Sequence, residues 1–174
     1  MTRRVVMLGT TGAGKSTFAG RLAELIGAEH VELDAFNHGP NWTPRSPEAF
    51  AADVASVAAR ASWVVDGNYV DRVSGTLWPQ ADTVVWLDLP LWIVLPRIVR
   101  RTVRRIRNGT ELWHGNREQW SAIIGRDSLL VWAVRSHRRH RAELPGRLAE
   151  LERAGVRVVR LTSAAAADRW LAST

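Results

Sequence analysis

Short apolar runs alternate with segments of helical spacing along the whole chain. Residues 5–8 (Val-Val-Met-Leu) form a run that stops at Gly9, and Phe18, Leu22 and Leu25/Ile26 then recur at the spacing of one helix face over residues 16–26. A second strand is expected over 30–33, closing at Asp34, followed by an Asn-, Gly- and Pro-rich loop over 37–44. Ser46-Pro47-Glu48 opens a helix: serine caps free N–H groups, proline suits the first helical position, and glutamate complements the dipole. That helix is expected to reach about residue 61.

A third strand fits 63–65, ending at Asp66-Gly67, and a fourth fits 83–87, ending at Asp88. Residues 91–107 predict an amphipathic helix, with Arg97, Arg100, Arg101, Arg104, Arg105 and Arg107 opposite an apolar side. A second basic helix carries Arg135, Arg138, Arg139 and Arg141 and is expected to break at Pro145-Gly146. A fifth strand over 156–161 precedes a short last helix capped by Thr162 or Ser163. Strands separated by helical segments imply βαβ units, a parallel sheet and an α/β fold. With 174 residues, 46% of them hydrophobic, and no internal repeat, one domain over 1–174 is expected, with an arginine-rich, lid-like insertion around 97–126.

Composition narrows the chemistry. The absence of cysteine removes disulfides, thiolate nucleophiles and cysteine-ligated metal centres. No apolar stretch has the length of a membrane span, and the one after Arg3-Arg4 is too short for a secretory signal, so a cytoplasmic protein is expected. A net charge of +7 favours anionic partners.

Gly9-Thr10-Thr11-Gly12-Ala13-Gly14-Lys15-Ser16 matches the phosphate-loop pattern G-x4-G-K-[ST] and lies between an expected strand and an expected helix. Glycines let successive backbone N–H groups approach phosphate oxygens, and the following helix N-terminus adds its dipole. Lys15 is suited to bridging β and γ phosphates, the Ser16 hydroxyl to ligating Mg²⁺, and Thr17 follows in the helix. Of 24 basic residues Lys15 is the only lysine, at the position where a flexible point charge serves better than a planar guanidinium.

Asp34, Asp66 and Asp88 each follow an apolar run, so all three are expected at the carboxyl edge of a parallel sheet beside that loop. Asp34 and Asp66 suit holding Mg²⁺ or accepting a proton from a hydroxyl; Asp88 suits an ordinary strand-end turn. The arginine rows fit a solvated helix surface, a clamp on transferring phosphates involving some of Arg97, Arg100, Arg101, Arg104, Arg117, Arg135 and Arg138, or nucleic-acid or membrane contact. No acidic residue falls between Asp88 and Glu111 to neutralise them. Of nine tryptophans, Trp63, Trp86, Trp92 and Trp132 are expected in the core, whereas Trp42, Trp113 and Trp120 fall in or beside loops. The five histidines show no metal-ligand spacing.

Together GTTGAGKST, VELDAFNHGPNW, WVVDGNY and VVWLDLP, followed by Arg97, Arg100 and Arg101, resemble the small P-loop proteins related to adenylate kinase, the topology-modulation group. That resemblance spans about residues 3–172 and implies a three-layer nucleoside-monophosphate-kinase-like fold, a sheet in the order 2-3-1-4-5, ATP and Mg²⁺, and an arginine-bearing lid. Asp66-Gly67 matches the start of adenylate kinase's DGFPR segment, but Val70 stands where that family has its arginine, with Arg72 two residues on. The segment around Asp34 is similar instead to kinases of the shikimate and gluconate type, in which a strand-two aspartate faces an acceptor hydroxyl.

The expectation is an ATP- and Mg²⁺-dependent phosphotransferase acting on a nucleoside monophosphate or a hydroxyl metabolite. Gly9 to Thr17 would bind phosphates, Ser16 and Asp66 would hold Mg²⁺, Asp34 would orient or deprotonate the acceptor, and Arg97 and Arg101 would stabilise the transferring group. The alternative is a nucleotide-dependent regulatory or DNA-binding protein, although no DNA-reading motif is present.

Overall fold

The computed structural model describes residues 2–125 and 128–174. Its centre is a five-stranded sheet in the order β2-β3-β1-β4-β5, built from β1 (Arg4–Gly9), β2 (Glu29–Glu32), β3 (Trp63–Asp66), β4 (Thr83–Leu87) and β5 (Arg157–Leu161). All four pairings are parallel. β1, β3 and β4 are almost wholly apolar because helices cover both faces. Alternation within β1 divides the interior in two. Val6 and Leu8 pack with Phe50 and Val54 of α3 (Pro47–Ala58), whereas Val5 and Met7 pack with Phe18 and Leu22 of α1 (Lys15–Ile26).

The helix ends follow local chemistry. Ser46 Oγ accepts from Ala49 N at 3.1 Å, capping α3, which ends at Ala58, three residues short of the expected limit. Ser163, rather than Thr162, caps α7 (Ala164–Ala172), accepting from Ala166 N. β2 closes at Glu32, and the chain turns at once into the short α2 (Leu33–Asn37), which carries Asp34; the short α4 (Val70–Val73) follows β3.

Two expectations are corrected. Pro145-Gly146 does not end the second basic helix, since α6 (Leu129–Arg153) runs through both residues. Leu144 and Leu148 on either side are buried in the Phe50 core, and this packing outweighs the hydrogen bond that proline forfeits. Trp92 and Trp132 are not core residues: Trp63 and Trp86 are buried, but Trp92 is 75% and Trp132 48% exposed. The core side of α5 (Leu91–Arg107) is filled by Val94, Ile98 and Thr102, which leaves Trp92 on its outer face.

α5 continues to Arg107, so Arg97 and Arg101 stand on a regular helix rather than on a loop. The irregular part of the expected insertion spans 108–125; Arg126, at its limit, lies outside the described residues. Among the described residues, no helix is long and apolar enough to cross a membrane.

Candidate active site

The loop between β1 and α1 sits at the carboxyl edge of the sheet, where β1 is flanked by β3 and β4 whose connections leave in opposite directions, the usual position for a ligand in an open α/β sheet. Its backbone needs glycine. At Gly12, φ is 81° and an added Cβ would stand 2.5 Å from Ile98 Cγ1, so α5 closes directly over the loop. Lys15 Nζ donates to the carbonyls of Gly9 at 2.8 Å and Thr10 at 3.2 Å. Burial lowers the Lys15 pKa, and the charges of Asp66 and Asp34 work against that shift.

A cleft of about 1000 Å³ opens in front of this loop. Thr11 to Thr17 line it, together with Asp34, Asp66, Arg97 and Arg101; Gly9 and Thr10 lie behind and contribute through their carbonyls to Lys15. Arg97 reaches the loop, with Nη1 3.5 Å from Ala13 O. Arg97, Arg101, Arg104 and Arg105 share one face of α5 through their i, i+4 and i+7/i+8 spacing, and all four line the cleft. Burial and the neighbouring Arg105 charge lower the Arg101 pKa.

Asp66 is buried, with Oδ2 lacking a hydrogen-bond partner and lying 3.6 Å from His30 Nε2. The Asp66 carboxylate raises the His30 pKa against the opposing effect of burial. Glu32, paired in register with Asp66, also lines the cleft; burial and then the Asp66 charge raise its pKa. An orphaned carboxylate oxygen on Asp66 near the Ser16 hydroxyl's loop is a fitting donor set for a hard cation such as Mg²⁺, which prefers oxygen and retains water and phosphate ligands. Asp34 Oδ1 accepts from Tyr69 OH at 2.8 Å, which holds the carboxylate in one orientation. Burial and the Asp34 charge push the Tyr69 pKa upward, so the phenol stays a donor.

Shikimate kinase from Acinetobacter baumannii, in complex with shikimate, superposes with a TM-score of 0.58 at 18% identity, over 99% of this chain and 90% of that one. A gluconokinase from Sinorhizobium meliloti superposes at 0.53 and 20% identity, over 99% and 95%. Shikimate kinase from Bacteroides thetaiotaomicron gives 0.54 at 11% identity, over 99% and 96%. The fold is that of these P-loop kinases. No protein-family model matches the chain, and no curated protein matches it.

Other candidates fall elsewhere. Asp88 is buried away from the cleft, where Arg141 Nε donates to it at 2.9 Å and Arg160 holds its second oxygen. Burial pushes the Asp88 pKa up, but the two guanidinium groups outweigh it and hold it below the usual range. Arg100, Arg117, Arg135 and Arg138 do not line the cleft, and Arg117 pairs with Glu111. Trp42 and Trp113 do line it, flanking His38 with ring centroids at 5.3 and 6.2 Å; Trp120 does not.

Three further residues line the cleft: Glu32, Tyr69 and Glu118. Glu32 carries a signal in its place at the end of β2, two strands from the loop strand β1. Tyr69 carries one as well, three residues after Asp66 in the WVVDGNY segment, whereas Glu118 carries none, because it reaches the cleft through its loop's contacts with a distant segment. Glu118 Oε1 accepts from Arg105 at 2.7 Å and its Oε2 is buried without a partner. The loop around it docks on the segment after α2: Asn116 accepts from Trp42 N and donates to Gly39 O, each at 2.9 Å.

Proposed function

We propose that this chain is an ATP- and Mg²⁺-dependent phosphotransferase that moves the γ-phosphoryl group to a hydroxyl of a small acceptor. The observation that carries the reading is one cleft with Lys15 and its glycine loop on one wall and Asp34, oriented by Tyr69, on another. The loop N–H groups and Lys15 bind phosphates, and Arg97 and Arg101 meet charge developing on the transferring group. Mg²⁺, resting on Ser16 and Asp66, would neutralise phosphate charge. Asp34 takes the proton of the acceptor hydroxyl as its oxygen bonds to phosphorus, and the bond from phosphorus to ADP breaks with its electron pair on ADP.

Between the two acceptor classes, a hydroxyl metabolite is favoured over a nucleoside monophosphate. Arg72, the cation nearest in sequence to adenylate kinase's phosphate-reading arginine, donates to Asn37 at 2.5 Å and stacks 3.8 Å over the Phe50 ring. It does not line the cleft. ADP release from Mg·ATP, screened against hydroxylated metabolites and nucleoside monophosphates, tests this. Acceptor-dependent turnover that disappears in Lys15→Ala is expected; turnover unchanged in that variant refutes it.

A nucleotide-dependent, nucleic-acid-binding role is the second reading. Arg100, Arg107, Arg135 and Arg138 are exposed and make no ion pair among the described residues. It requires duplex binding that weakens steeply with salt, through counterion release.

A further inference from the structure

We infer that Arg104 is a specificity-determining residue of the acceptor site, where its guanidinium reads an acid group, carboxylate or phosphate, on the molecule whose hydroxyl meets Asp34. This rests on the phosphotransferase reading and names the acceptor class of the same site: a hydroxyl compound that also carries an oxyanion.

The arginines of the cleft differ in what they already hold. Arg21 pairs with Asp168 at 2.8 Å and Arg105 with Glu118 at 2.7 Å. Arg97 reaches Ala13 O on the phosphate loop, and the Arg101 charge bears on Lys15, so nucleotide phosphates engage these two. Arg104 also lines the cleft and is exposed, yet its side chain makes neither an ion pair nor a hydrogen bond among the described residues. Three residues earlier, Arg101 Nε is a buried donor with no acceptor. This stretch of α5 therefore has donors to spare. An oxyanion answers both the donors and the charge of Arg104, whereas a neutral hydroxyl leaves the charge unpaired.

Position along the helix puts Arg104 at the acceptor end. It stands about 10 Å further along α5 than Arg97, the arginine that touches the phosphate loop. Its neighbour Arg105 holds Glu118, whose loop docks on the segment that carries Asp34: His114 Nε2 lies 3.1 Å from Ala35 O, and Asn116 accepts from Trp42 N. The charges of Glu118 and Asp34 both bear on Arg101, between Arg97 and Arg104. An acceptor hydroxyl at Asp34 therefore leaves the rest of that molecule between these loops and α5, within the wall that Trp42 and Trp113 complete. Arg105 already answers the negative charge of Glu118, so an anion at Arg104 meets a cation without a counter-charge. A guanidinium forms two parallel hydrogen bonds with a carboxylate or phosphate, which adds affinity and fixes the direction of the hydroxyl.

The test uses the full chain with Mg²⁺ and a non-hydrolysable ATP analogue, titrated with matched sets: glycerol, glycerate and glycerol phosphate; glucitol, gluconate and glucitol phosphate; myo-inositol, quinate and inositol phosphate. In at least one set an acid member is expected to bind about tenfold or more tightly than the neutral one, and the two acid arms tell carboxylate from phosphate. Arg104→Ala is expected to weaken that acid about tenfold or more, while moving the neutral member and the ATP analogue less than about threefold. Arg104→Lys, which keeps the charge but not the planar fork, is expected to recover part of the loss. The inference is overturned by neutral members that bind as tightly as both acids in every set, by binding of no member, or by an acid preference that survives Arg104→Ala. Lys15-dependent transfer that gains nothing from an acid group on the acceptor would defeat this inference alone; absence of Lys15-dependent ATP turnover with every acceptor would defeat the phosphotransferase reading beneath it.

Discussion

Asn116 offers a direct perturbation of the acceptor end, because it is buried and its side chain joins two loops that sequence separates by more than seventy residues. Its amide accepts from Trp42 N at 2.9 Å and donates to Gly39 O at 2.9 Å and Trp113 O at 2.8 Å. Those bonds hold Asn41 and Trp42 at φ 56° and 57°, a left-handed conformation that costs a bulky L-residue about 1 kcal/mol or more. Asn116→Ala removes the two bonds that cross between the loops, which at about 1 kcal/mol each lowers the cost of opening the clamp by about 2 kcal/mol. An opening equilibrium shifted by that amount changes about thirtyfold. Amide hydrogen exchange reads it: exchange at Trp42 and in 111–117 should rise by up to that factor, with the amides of β1, β3 and β4 unchanged. Unaltered exchange in both loops, or a uniform rise across the sheet, would refute the claim that this side chain clamps them locally.

Tyr69→Phe removes the hydrogen bond that orients Asp34 and should lower kcat by about tenfold or more with ATP affinity unchanged; equal kcat would contradict that role. Stability should fall on acidification through His140, whose pKa burial lowers to about 4. Between the usual histidine pKa of about 6.5 and that value the unfolded chain binds a proton that the folded chain refuses, a loss of about 3 kcal/mol at most. His30, raised by Asp66, acts in the opposite sense, so the readout is the flatter pH dependence of the urea midpoint in His140→Leu. Trp132→Ala, at the rim of the cleft, should weaken ATP binding several-fold without changing the melting temperature, because the ring is half exposed; unchanged binding would exclude a nucleotide contact there.

Much of this architecture was legible in the chain. Each strand run ended within a residue or two of its observed limit, since burial on both faces leaves an apolar block bounded by Asp or Gly. The phosphate loop was legible because its chemistry is local. Other features depended on what the chain meets elsewhere. Pro145 reads as a stop until Leu144 and Leu148 find the Phe50 core. Arg97 and Arg101 share a charged row with Arg100 and Arg107, and only the seating of α5 on Gly12 turns the first two into the cleft. Glu118 and Asn116 lie in irregular backbone whose position is set by docking on residues 35–42, a contact no local pattern encodes.

The central claim is that Lys15 and Asp34 serve two halves of one transfer. The most direct measurement is acceptor-dependent ADP release alongside equilibrium ATP binding for the wild type, Lys15→Ala and Asp34→Asn. The account predicts that Lys15→Ala loses turnover and weakens ATP binding, whereas Asp34→Asn binds ATP as the wild type does and loses acceptor-dependent turnover. Wild-type turnover in Asp34→Asn would contradict it.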